Sequence, residues 1–198
     1  MEQDHWAFEK KAAADGYRHV AGIDEAGRGP LAGPVVSAAV ILPESFVEGD
    51  VKDSKKLTPK KRDALYEKIY AEAISIGIGI VDPHEIDRIN ILRAALLSMA
   101  IAAGNLNPEA DILLIDGTFT IPSSIPQKTI VKGDSLSVSI AAASIVAKVT
   151  RDRMMIQYSL DYPGFGFQRH KGYPTKAHRE AIKKYGACPI HRRSFKLI

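Results

Sequence analysis

Residues 35–42, Val35-Val36-Ser37-Ala38-Ala39-Val40-Ile41-Leu42, carry one polar side chain, Ser37. A strand that offers no polar face to water has to be covered on both sides. This places it inside a sheet with helices above and below. Residues 19–24 read as a strand ahead of it. In Ile76-Gly77-Ile78-Gly79-Ile80-Val81 the isoleucines recur with period two, the spacing of one strand face. Ile112-Leu113-Leu114-Ile115-Asp116-Gly117 reads as a short buried strand, and Thr129-Ile130-Val131-Lys132 as a fifth.

Helices fall between the strands. Thr58 before Pro59 is a cap with proline in the first turn, opening a helix to about Ile74. A second is expected from about Pro83 to Ala103. A third, rich in small apolar residues, is expected from about Ser135 to Tyr158. Thr175 caps a fourth, with Ala177, Ala181, Ile182 and Tyr185 on one face. Strands come first and then alternate with helices. The expected fold is α/β, a mixed five-stranded sheet flanked by helices and followed by a basic helical C-terminal segment.

The chain has 198 residues, 45% hydrophobic and 25% charged, which suits one domain over 1–198 with 1–18 as an N-terminal extension. Its single cysteine, Cys188, excludes an internal disulfide framework and fits a reducing compartment. No apolar run reaches the roughly 18 residues of a membrane helix. The acidic start lacks a signal-peptide core. A cytoplasmic protein with no membrane partner is expected.

Net charge is +4, but its distribution is uneven. From Gln168 onward nine cations face one acid, Glu180, so this segment is +8 and the rest −4. The cations are interleaved with His170, Tyr173, His178, Tyr185, His191 and Phe195. That pattern suits contact with nucleic-acid backbone and sugars, or else a solvated face.

Four acids stand where strands should end. Asp24 and Glu25 sit in Gly22-Ile23-Asp24-Glu25-Ala26-Gly27-Arg28-Gly29-Pro30, Asp116 closes the fourth strand, and Asp134 lies between the fifth strand and the third helix. Functional crevices of open α/β sheets lie at strand ends. Clustered carboxylates repel one another unless a cation joins them, and hard oxygen donors suit Mg²⁺ or Mn²⁺ bound with a phosphate. Taken singly, Asp134 also reads as a helix cap and Asp116 as half of an Asp-Gly turn. Ser144, Lys148 and Arg151 share a face of the third helix, for a phosphate or for an internal salt bridge to Asp152 or Asp53. Ser54, Lys55 and Lys56 precede a helix start and would suit a phosphate. Tyr173 is either a stacking residue or a core tyrosine. His191 with Arg192 and Arg193 either touches substrate or covers surface.

These strings together resemble the ribonuclease HII family. The resemblance runs from Gly22-Ile23-Asp24-Glu25-Ala26-Gly27-Arg28-Gly29-Pro30-Leu31-Ala32-Gly33-Pro34-Val35-Val36 through Asp53-Ser54-Lys55-Lys56-Leu57, Leu114-Ile115-Asp116-Gly117 and Lys132-Gly133-Asp134. It continues in Ala141 to Asp152, His170-Lys171-Gly172-Tyr173 and His191-Arg192-Arg193-Ser194-Phe195. It implies a ribonuclease H-like fold and endonucleolytic hydrolysis of RNA paired to DNA. It also implies cutting 5′ of single ribonucleotides in duplex DNA, leaving 3′-hydroxyl and 5′-phosphate ends. By motif position, Asp24, Glu25, Asp116 and Asp134 are the implied catalytic ligands of two Mg²⁺ or Mn²⁺ ions, with Asp24 bridging both.

Gly27, Arg28 and Gly29 would present backbone groups to the ribonucleotide 2′-hydroxyl, and Tyr173 would pack on the following sugar. Ser54, Lys55, Lys56, Ser144, Lys148 and Arg192 are the implied further substrate contacts. Asp152 also follows a family-like string and competes with Asp134 for the fourth position. A monomer with no obligatory protein partner is expected. About 18 residues precede the first strand, too few for the extra N-terminal domain of ribonuclease HIII, so the expectation is ribonuclease HII. A non-catalytic hybrid binder and a DNA-only metal nuclease, such as a resolvase, are the alternatives. The four acids speak against the first and the Gly27-Arg28-Gly29 turn against the second.

Overall fold

All seven residues of strand β2, Val35–Ile41, are buried. The computed structural model describes residues 4–47, 49, 51 and 58–198. β2 lies second in a five-stranded sheet that also contains β1 (Val20–Ala26), β3 (Ser75–Val81), β4 (Ile112–Asp116) and β5 (Gln127–Ile130), ordered β3-β2-β1-β4-β5. The sheet is mixed: β2 pairs antiparallel with β1 and β3, while β4 pairs parallel with β1 and β5.

Strand alternation explains the double burial. Ala38 and Val40 pack on one face against α5 (Val138–Asp161), through Ala141, Ala142, Ile145 and Val149. Ala39 and Ile41 point the other way, against Met99, Ala102 and Ala103 of α4 (Ile91–Gly104). The two helices thus sandwich the sheet, and α2 (Pro59–Glu72) packs beside α5. Thr58 caps α2 as expected, its side chain accepting from the Lys61 amide.

The period-two pattern of β3 has the opposite sense from the one its isoleucines suggest. Ser75, Gly77, Gly79 and Val81 are the buried positions, and Ile76, Ile78 and Ile80 are less covered. A Cβ at Gly77 or Gly79 would strike the α4 backbone at Ala102 or Ser98. The glycines let helix and strand touch, and Ser98 then reaches Ser37 of β2 at 2.6 Å.

The helix expected over Pro83 to Ala103 is two helices. α3 (Pro83–Ile89) ends at Asn90, whose φ of 70° is left-handed. The Asn90 side chain then accepts from the amides of Leu92 and Arg93 and starts α4. An asparagine tolerates this conformation and caps well, so it ends one helix and opens the next. The third expected helix also starts later, at Val138 with Ser137 as its cap. A separate 3₁₀ turn, Gly133–Ser135, precedes it.

Residues before β1 form a docked helix, α1 (Ala7–Ala14). Buried Glu9 accepts from the Ser137 and Ser139 hydroxyls at 2.5 and 2.6 Å, tying α1 to the start of α5. After α5 come α6 (Phe167–His170) and α7 (Lys176–Tyr185), with Thr175 capping α7. Among the described residues no helix is long and apolar enough to cross a membrane.

Candidate active site

β1 and β4 run parallel with Ile23 opposite Ile115, so the next residues along, Asp24 and Asp116, are neighbours on adjacent strands. Ile23 and Ile115 pack with the α4 layer, which turns Asp24 and Asp116 toward α5. Asp24 is 6% exposed. It accepts from the Ser144 side chain of α5 and, at 2.7 Å, from the Glu25 amide. Asp116 accepts from the Gly133 amide at 2.6 Å. Asp134 is the residue after that amide and lies buried in the 3₁₀ turn. Glu25 pairs with Arg28 at 3.2 Å.

The acids act on one another. Burial holds Asp24's carboxyl well above the usual carboxylate range, and the charges of Glu25 and Asp116 push it further; Ser144 and the Glu25 amide oppose them. Burial also raises Glu25, against the pull of Arg28 and with an added push from Asp116. Three carboxylates are therefore close enough to repel in a low-dielectric setting. Among the described residues no three acidic, histidine or cysteine side chains form a ready-made metal cage. The donor set nonetheless fits a divalent cation. It consists of hard oxygens, and a positive ion relieves the repulsion that raises Asp24.

Glu25, Gly27, Arg28, Gly29, Arg62, Ser144, Lys148 and Tyr173 line a cleft of about 430 Å³. A second hollow shares Arg62, Lys148 and Tyr173 with it and adds Arg153, Arg169 and Lys171. Asp63 and Asp152 line the second hollow as well, so the two hollows form a track in which cations outnumber acids. Tyr173 is 40% exposed on this track, with Lys148 Nζ 5.6 Å from its ring centre.

Two buried arginines build the cleft wall. Arg192 donates to the carbonyls of Gly33, Arg28, Gly27 and Pro34 at 3.0, 2.9, 2.6 and 3.2 Å. Arg151 donates to Pro34, Lys171 and Ala32 at 2.9, 3.0 and 3.0 Å. Gly27 has φ +101°, and a Cβ there would strike the Arg151 side chain, so only glycine suits this turn. Burial pulls Arg192 down to about 9 and Arg151 to about 10, which leaves both cationic at neutral pH. Among the described residues their hydrogen bonds go to carbonyl dipoles, and no carboxylate pairs with either guanidinium.

The comparisons with known proteins agree with this arrangement. Residues 21–198 match the family model described as Ribonuclease HII. The chain belongs to the ribonuclease HII family. It is a hydrolase that cuts the RNA of RNA–DNA hybrids endonucleolytically, and its family depends on divalent metal. It is 57% identical over 194 residues to "Ribonuclease HII" of Syntrophus aciditrophicus, covering 98% of this chain and 91% of that one. The solved ribonuclease H2 from Pyrococcus horikoshii OT3 is similar at a TM-score of 0.76 and 30% identity, over 91% of this chain and 95% of that one. Bst-RNase HIII in complex with Mn²⁺ shares the fold at a TM-score of 0.71 and 20% identity, over 90% of this chain and 67% of that one.

In this ribonuclease HII the structure separates the residues that the sequence grouped. Asp24, Glu25 and Asp116 come together, with Asp134 in the turn that binds Asp116. Gly27, Arg28, Gly29, Ser144, Lys148 and Tyr173 share the cleft. Ser54, Lys55 and Lys56 lie outside the described residues. Arg192, expected at the substrate, is fully buried, and its guanidinium donates to four backbone carbonyls that it ties into the cleft wall. His191 is buried too and covers no surface. Lys148 makes the internal salt bridge, to Asp152 at 2.7 Å, while still lining the cleft. Arg151 holds carbonyls instead of a phosphate or an acid. Arg62 joins the cleft unforeseen, because nothing in a basic stretch of α2 says which cation turns inward.

Proposed function

We propose that this ribonuclease HII also nicks duplex DNA on the 5′ side of a single embedded ribonucleotide, leaving 3′-hydroxyl and 5′-phosphate ends. The observation that carries this reading is the shared cleft: Glu25, the Gly27–Gly29 turn and Tyr173 surround one space. Asp24, Glu25, Asp116 and Asp134 would hold two Mg²⁺ or Mn²⁺ ions. Such ions supply the acidity that turns water into a nucleophile and neutralises the leaving oxygen. Asp24, flanked by Glu25 on its own strand and Asp116 on the next, would hold metal together with both neighbours.

The turn supplies the sugar readout. In a planar trans peptide the C=O and N–H point in opposite directions. Arg192 binds the carbonyls of Gly27 and Arg28, so the amides of Arg28 and Gly29 point away from it. Both residues line the cleft. A 2′-hydroxyl is the group that distinguishes RNA from DNA at one position, and two fixed amides can bind it. Tyr173 stands across from Gly29 and would pack on the next sugar, where a missing hydroxyl leaves room. Ser144 and Lys148 would steady the phosphate, with Ser54, Lys55 and Lys56 beside them on sequence grounds. The enzyme would work as a single-domain cytoplasmic monomer with no obligatory partner.

Three duplexes test this: DNA with one ribonucleotide, all-DNA, and an RNA–DNA hybrid, each with Mg²⁺ and with chelator. The first and third should be cut only with Mg²⁺, the first at one position, 5′ of the ribonucleotide. An uncut single-ribonucleotide duplex beside a cut hybrid would overturn the proposal.

A further inference from the structure

Beneath the loop that carries Tyr173 runs a buried chain of polar side chains. His178 on α7 and His191 near the C-terminus are sealed from solvent, at 0% and 2% exposed. Their Nε2 atoms face each other at 3.0 Å. His178 Nδ1 lies 2.9 Å from the Tyr173 carbonyl oxygen. His191 Nδ1 lies 3.0 Å from the Cys188 backbone nitrogen and 3.1 Å from its Sγ, with the Cys188 carbonyl farther off at 3.3 Å.

The two ends of this chain fix the protons between them. A carbonyl only accepts, so His178 Nδ1 carries a hydrogen. A backbone amide only donates, so His191 Nδ1 is bare. A neutral imidazole has one N–H, so His178 Nε2 is bare and His191 Nε2 is protonated. The two deductions start from opposite ends and agree in the middle, where His191 Nε2–H donates to His178 Nε2. A further proton on His178 would set two N–H groups against each other across that contact. Burial pulls both rings down, His178 to about 4, which keeps the pair neutral at pH 7. His170 stacks on His178 at 4.4 Å but sends its Nε2 to the Phe165 carbonyl, outside the chain.

We propose that His178 is a positioning residue for Tyr173: the chain from Cys188 through His191 and His178 to the Tyr173 carbonyl holds the Tyr173 ring in place across the cleft from Gly29. This rests on the reading of Tyr173 as the residue that meets the sugar after the ribonucleotide. The loop has other anchors. Leu31 donates to the Gly172 carbonyl at 2.8 Å, and Arg151 holds Lys171. Both lie ahead of Tyr173. The Tyr173 peptide makes two local bonds, its amide donating to the His170 carbonyl and its carbonyl accepting from the Thr175 amide, each at 2.8 Å, and His178 adds the side-chain donor that ties it to the body of α7. Losing that donor therefore loosens the ring while leaving the Gly27–Gly29 wall intact. The expected fault is in choosing a junction, not in cutting.

Nitrogen-15 NMR of the histidines in the full chain at neutral pH tests the chain directly. His178 should carry its proton on Nδ1 and His191 on Nε2. A proton on His178 Nε2, or a charged ring, overturns the proposal. Initial rates with Mg²⁺ on a single-ribonucleotide duplex and on an RNA–DNA hybrid test the consequence. His178→Phe keeps a ring without nitrogen, and the ratio of the two rates should fall by about tenfold, the effect of losing one buried hydrogen bond. His178→Asn retains an N–H at the Nδ1 position and should stay within about threefold of the parent ratio. A parent-like ratio in His178→Phe, or equal losses in both variants, contradicts the proposal. If His178→Phe does not fold, the parent spectrum and the His178→Asn ratio decide. Tyr173→Ala separates this from the reading beneath it: an unchanged ratio there refutes the sugar contact, while the tautomer spectrum tests the hydrogen-bond chain independently of it.

Discussion

The Arg192 guanidinium donates to the Gly27 carbonyl at 2.6 Å, across 165 positions of sequence. This bond joins the end of the chain to the turn beside the carboxylates of β1. Arg192 is itself held in place, because Asp87 of α3 accepts from the amides of Arg193 and Ser194 at 2.8 and 2.9 Å. A lysine offers one rotating ammonium where the guanidinium offers a planar fork. Arg192→Lys should destabilise the fold by roughly 2–4 kcal/mol, since several buried carbonyls lose their donor. Cleavage should also fall at least about tenfold in the fraction that stays folded. Urea unfolding together with initial rates checks both, and a fully active, stable lysine variant would contradict the role.

Asp24 should cost the metal-free protein stability. Its carboxyl is raised in the folded state, so the folded protein holds that proton more tightly than the unfolded chain does. The resulting stabilisation exists at low pH and is lost as pH rises through the raised value. At neutral pH the buried, repelled carboxylate is a burden. Asp24→Asn keeps the shape and removes the charge. In chelator its Tm should exceed the parent's by about 2–4 °C for each kcal/mol relieved, while cleavage is abolished. Adding Mg²⁺ should raise the parent's Tm and leave the variant's nearly unchanged. Calorimetry that finds the variant less stable than the parent in chelator would sink this account of the site.

The fourth carboxylate can be decided by comparing two variants. Asp134 adjoins the amide that binds Asp116, whereas Asp152 is spent on Lys148 two helical turns beyond Ser144. Asp134→Asn should slow cleavage by roughly a hundredfold or more and weaken metal titration. Asp152→Asn should cost less than about fivefold, through a freed Lys148. The reverse ranking would move the ligand to Asp152.

The buried imidazoles make stability pH-dependent. His178 is pulled from its ordinary value of 6.5 to about 4 by burial, with His170 and His191 adding to it. Between these values the unfolded chain binds a proton that the folded one refuses, so stability falls as pH drops from about 6.5 to about 4. The loss should be on the order of 2–3 kcal/mol. His178→Asn should flatten this part of the stability curve, and an unchanged slope would place the acid sensitivity elsewhere.

What the sequence discloses depends on how local the cause is. β2 is readable because double burial leaves no polar position but Ser37. The acids of β1 and β4 are readable because strand ends are local features, and one register then sets Asp24 beside Asp116. The buried face of β3 is not readable: glycine looks like an absence until α4 is known to lie on it. Asn90 sits inside an apolar periodic run, so the break between α3 and α4 is hidden in a conformation its neighbours do not announce. Arg192 and His191 look like surface cations because their partners, Gly27 and His178, become neighbours only through the tertiary fold. A cation whose hydrogen bonds go to backbone carbonyls, as those of Arg192 do, has no matching acid to betray it in the sequence.

We propose that the cleft reads a ribonucleotide followed by a deoxynucleotide, with Tyr173 testing the second sugar. The most direct measurement of this claim is the initial rate of Tyr173→Ala on a single-ribonucleotide duplex and on an all-RNA strand paired to DNA, at matched salt because phosphate contacts are salt-sensitive. Ring packing of this kind is worth on the order of 1–3 kcal/mol. The single-ribonucleotide rate should therefore fall by roughly ten- to a hundredfold, and the all-RNA rate by clearly less. Equal losses on the two substrates would contradict the claim and make Tyr173 a general contact.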